Sequence, residues 1–368
     1  MDDLEGFIAI KLEPHFPLAD VQTIGADLEQ SGLLVPGYVP PECGMLDVRA
    51  LRLADVLDRV EHIVLPDRNV VTRIARIAER GAQRPFDKPT QFAADLMAFS
   101  QCLNFNFDPL IAFHELAHRL GNTAAHRELS WFRAADEAQS QTWIDVAQGR
   151  TDHLKVTKPA ESSDEDLAAP IDRWERNYVA ALKIAELELT EKRPLDRATA
   201  LLDWMVDDFF LAGPAAFFAS MYFSPLTERK RLIKQLRSKD RERAIAGVKN
   251  AAWDMTYLSN FAQRIREAGE GPYRFFFATA DRGLAAIASY LVIDAEEDQL
   301  EEAMITRLNG WWNERDARIL GAVFTARILA VRNRPPPVGP KGLGDPIAHW
   351  IAAGEDALRR WRPTDALR

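Results

Sequence analysis

The stretch Asp108–Gly121, DPLIAFHELAHRLG, contains residues that any functional interpretation of this chain must explain. It opens with Asp-Pro and closes with Gly, which are typical of helix ends, so it predicts one helix. On that helix His114 and His118 share a face, and Glu115 lies beside them. Two chemistries compete for these side chains. One is zinc hydrolysis through HExxH, and the other is an acidic Mg²⁺ or Mn²⁺ site that uses Glu115 alone.

The zinc alternative predicts a metallopeptidase. Two histidines four positions apart on a helix can both bind Zn²⁺, while Glu115 activates a water molecule. Glu137 lies 19 positions after His118, which is a permitted spacing for a third ligand. The Zn²⁺ ligands would then be His114, His118 and Glu137. Against this alternative, no edge-strand pattern that could align a peptide precedes Asp108.

Two short apolar runs predict buried strands, and an aspartate follows each of them. The runs are residues 62–65 and 273–279, and the aspartates are Asp67 and Asp281. Open α/β sheets build their sites just beyond the carboxyl ends of strands. We therefore expect both acids to lie at a functional edge of the sheet.

Two further acids complete a candidate metal site. Glu115 lies on the predicted helix described above, and Asp254 lies in the first turn of a helix predicted over residues 253–268. Clustered carboxylates repel one another unless a cation neutralises them. Their hard oxygen atoms suit Mg²⁺ or Mn²⁺, which can orient water and neutralise the charge of a phosphodiester.

The order of these motifs resembles that of the PIN-domain nucleases. The matching segments are HIVLPDRN, LIAFHELA, AAWDMTYL and FFFATADRGL. The resemblance implies a parallel sheet flanked by helices, one or two divalent metal ions, and cleavage of RNA or, less often, DNA. It also implies that the catalytic metal ligands are Asp67, Glu115, Asp254 and Asp281, supported by Asn69 and Thr279.

One spacing departs from that family. Glu115 and Asp254 are 139 positions apart, whereas the second and third acids of the family are close together. The helical pattern of residues 123–249 would then be a large insertion. Asp136 and Asp145 are alternatives for the third acid.

We therefore predict an α/β protein with a small, parallel, PIN-like sheet flanked by helices. It is predominantly helical because of the large helical insertion. The predicted parts are an N-terminal arm and helix (1–59), the first part of the core (60–122), the insertion (123–249), the second part of the core (250–332), and a loop with a C-terminal helix (333–368).

A basic segment predicts contact with nucleic acid. Residues 228–249 contain nine basic and three acidic residues, a net charge of +6 in a chain of net charge −9. A helix here would align Lys230, Lys234, Arg237 and Arg241 on one face, where they could bind phosphates in a salt-dependent way. The alternative is an ordinary solvated helix face. The resemblance favours single-stranded RNA as the partner.

Composition limits the other classes of function. Two cysteines exclude a disulfide scaffold and suit a reducing cytosol. The most apolar run, residues 198–223, contains three aspartates, which argue against a membrane span. We expect a cytoplasmic nuclease, with a protein partner or self-association through the insertion. A third alternative is a catalytically inactive PIN-like scaffold that binds partners.

Overall fold

The computed structural model describes residues 12–154, 159, 165–227, 232–292, 296–332 and 346–362. The chain divides into two compact units. The first comprises Met1–Ala169 and Arg264–Ala285, and the second comprises Pro170–Gln263 and Ala286–Arg368. Each unit is therefore built from two separate stretches of the chain.

The first unit contains the sheet. Its four strands within the described residues are β1 (Leu34–Pro36), β2 (Glu61–Pro66), β3 (Asn106–Phe107) and β4 (Tyr273–Ala278). Their spatial order is β1-β4-β2-β3. Strand β2 runs parallel to β3 and β4, whereas β1 runs antiparallel to β4. The fold is thus α/β with a small mixed sheet.

The predicted strands at 62–65 and 273–279 correspond to β2 and β4. The expectation of a purely parallel sheet is wrong, because the antiparallel β1 completes one edge. Strands β1 and β3 span only three and two residues, so neither shows an alternating pattern long enough to predict a strand. The predicted N-terminal arm and helix (1–59) contains, in its described residues, two helices (Leu18–Ser31 and Val48–Asp58) and strand β1.

Seven helices surround this sheet in the first unit's described residues: α1 (Leu18–Ser31), α2 (Val48–Asp58), α3 (Arg68–Arg80), α4 (Lys88–Leu103), α5 (Leu110–Leu120), α6 (Asn122–Asp136) and α7 (Ser140–Ala147). Helix α3 packs against α4, α5 and α6, and α4 packs against α1 and α7. Inside, the Phe105 ring stacks on His62 and Phe276 at centroid distances of 4.7 and 5.4 Å. Burial lowers the pKa of His62 to about 4, which keeps its ring neutral in this apolar stack.

The described part of the second unit is helical. It contains α8 (Asp172–Glu188), α9 (Pro194–Asp207), α10 (Gly213–Phe223), α13 (Leu300–Leu308), α14 (Glu314–Val331) and α15 (Pro346–Arg360). Helices α11 (Arg241–Ala268) and α12 (Arg282–Ser289) contain residues of both units. Helix α8 packs against α9, α10 and α15. Among the described helices, none combines the length and the apolar character needed to cross a membrane.

The predicted insertion, residues 123–249, does not coincide with one of the two units. Residues 123–169 belong to the first unit, because α6 packs on α3 and α5, and α7 packs on α4. An amphipathic pattern shows which face of a helix is buried but not which element covers that face.

One buried carboxyl group lies between two of these helices. Asp95 on α4 is only 7% exposed and accepts a hydrogen bond from Gln91 Nε2 at 2.7 Å. The Gln91 amide also donates to the carbonyl oxygen of Ala147 on α7. Burial raises the pKa of Asp95 to about 7, and the nearby Asp27 adds to the rise. Ionisation of Asp95 therefore works against the folded state.

We predict that Asp95→Asn stabilises the protein in a pH-dependent way. The folded state keeps a proton that the unfolded chain loses above about pH 4, so the parent loses stability between about pH 4 and about pH 7. The free energy of unfolding of the variant relative to the parent should rise across that interval and stay constant above it. Urea unfolding across the pH range, with exposed Asp58→Asn as the control, measures this difference. Parallel stability curves for parent and Asp95→Asn would contradict it.

Candidate functional site

The carboxyl ends of β2 and β4 meet at one edge of the sheet. The two strands pair in parallel with Pro66 opposite Ala278. Asp67 and Thr279 follow these residues and are therefore neighbours. Thr279 Oγ1 donates a hydrogen bond to Asp67 Oδ2 at 2.5 Å, and the Asp67 amide donates to the Ala278 carbonyl oxygen at 2.8 Å. A predicted metal ligand and a predicted supporting residue thus lie in direct contact.

The Asp67 carboxyl group is buried away from solvent. Its side chain is 2% exposed, and its Oδ1 accepts a hydrogen bond from Val70 N at 2.9 Å at the start of α3. Burial raises the pKa of this carboxyl, and hydrogen bonds from Thr279, Val70 and Asn69 oppose that rise. A buried carboxyl of this kind needs either a proton or a nearby positive charge.

Asp281 is linked to Asp67 through the same threonine. The amide of Asp281 donates to Thr279 Oγ1 at 3.0 Å. Its Oδ1 accepts hydrogen bonds from Gly283 N at 2.7 Å and Leu284 N at 3.1 Å, which caps α12. We refer to Asp67, Thr279 and Asp281 as the strand-end junction.

Glu115 lies in the same unit as the strand-end junction. It is 9% exposed on α5, and α5 packs on α3. Across the described ranges, however, no group of three or more His, Cys, Asp or Glu side chains is arranged to hold a metal ion. Glu115 therefore does not complete a three-acid cluster with Asp67 and Asp281.

The candidates for the third acid have other surroundings. Asp254 belongs to the second unit and lies in the middle of α11. The prediction that it occupies a first helical turn is wrong, because the basic residues before it are already helical. In the first unit, Asp136 accepts a hydrogen bond from Gln101 Nε2 at 2.9 Å, and Asp145 accepts one from Arg150 Nε at 2.7 Å.

The basic segment does not form the predicted helical face. Lys230 lies outside the described residues. Lys234 and Arg237 lie in turns within residues 232–240, and Arg241 is the first residue of α11. The prediction of one helix through these side chains is therefore wrong for Lys234 and Arg237.

Two arginines of that segment bind groups within the second unit. The Arg241 guanidinium donates to the carbonyl oxygens of Leu358 and Leu236 at 2.8 and 2.9 Å. The Arg237 guanidinium donates to the carboxylate of Glu188 at 3.3 Å. These contacts give both arginines a structural role, and the contact of this segment with nucleic acid stays a prediction.

The HExxH histidines hold a loop in the first unit. Together with His126 they donate hydrogen bonds to alternate carbonyl oxygens of residues 165–169. The pairs are His114 Nδ1 with Leu167, His118 Nε2 with Ala169, and His126 Nε2 with Glu165, at 2.8, 3.1 and 2.7 Å. Because a carbonyl oxygen only accepts, each of these ring nitrogens carries a proton.

This arrangement bears on the zinc alternative. A histidine binds Zn²⁺ through an unprotonated ring nitrogen. His118 Nε2 carries the proton that it donates to the Ala169 carbonyl oxygen. Glu137 is exposed at the end of α6. The sequence did not indicate the loop-holding role, since a spacing of four residues marks any shared helix face.

Comparison of the chain with family models, curated proteins and solved structures gives no match. The likeness to PIN-domain nucleases therefore remains a resemblance of short motifs.

We predict that His118→Ala frees the 165–169 loop without changing the metal content of the protein. Loss of the bond to the Ala169 carbonyl should speed amide hydrogen exchange in residues 165–169. The neighbouring exposed Arg119→Ala serves as the control and should leave exchange there unchanged. A parent protein that carries about one zinc ion per chain, lost in His118→Ala, would restore the peptidase hypothesis.

Proposed function

We propose that this chain is a PIN-like nuclease that hydrolyses phosphodiester bonds of single-stranded RNA. In this proposal Mg²⁺ or Mn²⁺ binds at the strand-end junction. One observation carries the proposal: Asp67 is buried at the carboxyl ends of two parallel strands, and its hydrogen-bond partners among the described residues are neutral donors. A divalent cation would supply the positive charge that such a carboxylate requires.

The donor set fits a small divalent cation. Carboxylate oxygens are hard ligands, and Mg²⁺ is commonly bound by one or two protein carboxylates, with water and substrate phosphate completing its shell. Asp67 Oδ1 accepts a hydrogen bond from Val70 N and Oδ2 accepts one from Thr279 Oγ1, and Asn69 also donates to this carboxylate. Asp281 Oδ1 is engaged by two backbone amides, which leaves Oδ2 for a ligand. Two carboxylates are therefore sufficient for this proposal.

Each residue would have a separate task. Asp67 and Asp281 would hold the cation, which when bound lowers the pKa of a water molecule and neutralises phosphate charge. Thr279 fixes the orientation of the Asp67 carboxylate by donating to Oδ2, and its hydroxyl oxygen positions the Asp281 backbone. Asn69 assists by hydrogen bonding to Asp67.

A second candidate function is a catalytically inactive PIN-like scaffold that binds partners. The observation that favours it is the lack, in the described portions of the chain, of a three-acid group able to hold a metal. The two candidates differ in one measurable property, which is cleavage in the presence of a divalent ion.

We predict that the parent protein cuts labelled single-stranded RNA in Mn²⁺, and that Asp281→Asn lowers the rate by more than about 100-fold. Asparagine keeps the side-chain oxygen that caps α12, so the melting temperature should stay close to that of the parent. Asp58→Asn, which removes an equal charge from an exposed position of the first unit, should cut at the parental rate.

Two results would count against this assignment. Parental cleavage by Asp281→Asn would show that the strand-end junction is not the reaction site. Lack of cleavage by the parent in both Mn²⁺ and Mg²⁺ would favour the scaffold instead.

A further inference from the structure

One face of α3 presents a row of arginines. The opposite face is buried in the first unit through Val70, Val71, Ile74, Ala75, Ile77 and Ala78. Arg76 and Arg80 are exposed and Arg73 is half-buried, at positions that share the outer face of the helix. The sequence does not indicate this row, because these arginines are spaced between apolar residues and do not form a continuous basic run.

Two cavities open along this row, and both lie within the first unit. The first, of about 450 Å³, is lined by Arg73, Arg76, Arg80 and Arg84. The second, of about 650 Å³, is lined by Arg76, Arg80, Arg127 and Trp131. Arg76 and Arg80 form the wall that the two cavities share.

The acids that line these cavities already have partners. The Glu79 carboxylate pairs with Arg127 at 2.5 Å. The Glu128 carboxylate accepts two hydrogen bonds from Arg68, at 2.6 and 2.8 Å.

The remaining acid, Asp87, caps α4 by accepting from Thr90 N at 2.8 Å, and it lies 4.0 Å from Arg73. No close ion pair or hydrogen bond joins Arg76 or Arg80 to another described side chain. Asp87 interacts electrostatically with Arg76 as well as with Arg73. The shared wall thus carries two positive charges, of which Arg76 has Asp87 as a nearby counter-charge.

An aromatic ring lies beside these charges. Trp131 on α6 is half-buried and lines the second cavity together with Arg76 and Arg80. Proteins that bind single-stranded nucleic acid combine cationic grooves for phosphates with aromatic rings on which bases stack. A row of arginines alone would fit any polyanion, whereas the exposed part of the ring favours unpaired bases.

We propose that Arg73, Arg76, Arg80 and Trp131 form a groove that binds single-stranded nucleic acid. The arginines bind consecutive phosphates, and a base stacks on Trp131. Asp67 caps the same helix, and at a rise of about 1.5 Å per residue Arg76 lies about 14 Å along the axis from it. A role of this groove in cleavage rests on the proposed function. Its binding of nucleic acid does not, because binding requires no cleavage.

Fluorescence anisotropy with a labelled single-stranded RNA oligonucleotide in EDTA tests the groove without hydrolysis. The double variant Arg76→Ala/Arg80→Ala should weaken binding at least about tenfold. It should also reduce the slope of log K against log salt concentration by about 1.4, the value for two phosphate contacts on a single strand.

Trp131→Ala should weaken binding about tenfold and leave the salt slope unchanged, because stacking releases no counterions. Lys192→Ala/Arg315→Ala is the matched control, which removes two exposed charges from the second unit, and it should bind like the parent. Arg76→Lys/Arg80→Lys should keep the parental salt slope, which separates loss of charge from loss of fold.

Unchanged binding by Arg76→Ala/Arg80→Ala would overturn the groove. A second contrary result would be that inorganic tripolyphosphate displaces the labelled RNA as well as unlabelled RNA does, while Trp131→Ala leaves binding unchanged. That combined result would overturn the assignment of the groove to single-stranded nucleic acid. RNA binding that depends on these arginines in a protein that never cuts would reject the proposed nuclease alone. Cleavage of RNA by the parent, together with RNA binding that does not depend on Arg76 and Arg80, would reject the groove alone.

Discussion

The parallel pairing of β2 with β4 is the constraint on which the rest of the candidate site depends. It joins Asp67 and Thr279, which are 212 positions apart, through one hydrogen bond in a buried environment. A shift in the register of either strand would move the threonine hydroxyl away from the carboxylate. Asp67 would then be buried without that donor, which is costly for a polar group out of water. Strand register and site geometry are therefore maintained together.

Two helices begin at this junction, and an aspartate caps each one. Asp67 caps α3 and Asp281 caps α12. The same acids are the proposed metal ligands. A substitution that tests metal binding must therefore keep the side-chain oxygen that caps the helix and remove only the negative charge. Helix α3 also carries the arginine groove on its outer face. In these two proposals, one helix links the reaction site to the surface that binds the nucleic acid backbone.

The sequence predicted the elements with strong local patterns. The runs at 62–65 and 273–279 became β2 and β4, and the DPLIAFHELAHRLG stretch contains α5. It did not predict β1 and β3, which depend on pairing with distant strands. For the basic segment the pattern is misleading, because local charge density does not show that Arg237 and Arg241 bind groups within the second unit. For the groove on α3 the sequence shows no dense basic run, since its arginines become neighbours only on the folded helix.

The central claim is that the strand-end junction binds a divalent cation. Crystals soaked in Mn²⁺ and measured for anomalous scattering would test it most directly. We predict a manganese peak within coordination distance of both Asp67 and Asp281, with Thr279 still hydrogen-bonded to Asp67. A peak only at another site, or no peak at a saturating Mn²⁺ concentration, would contradict it.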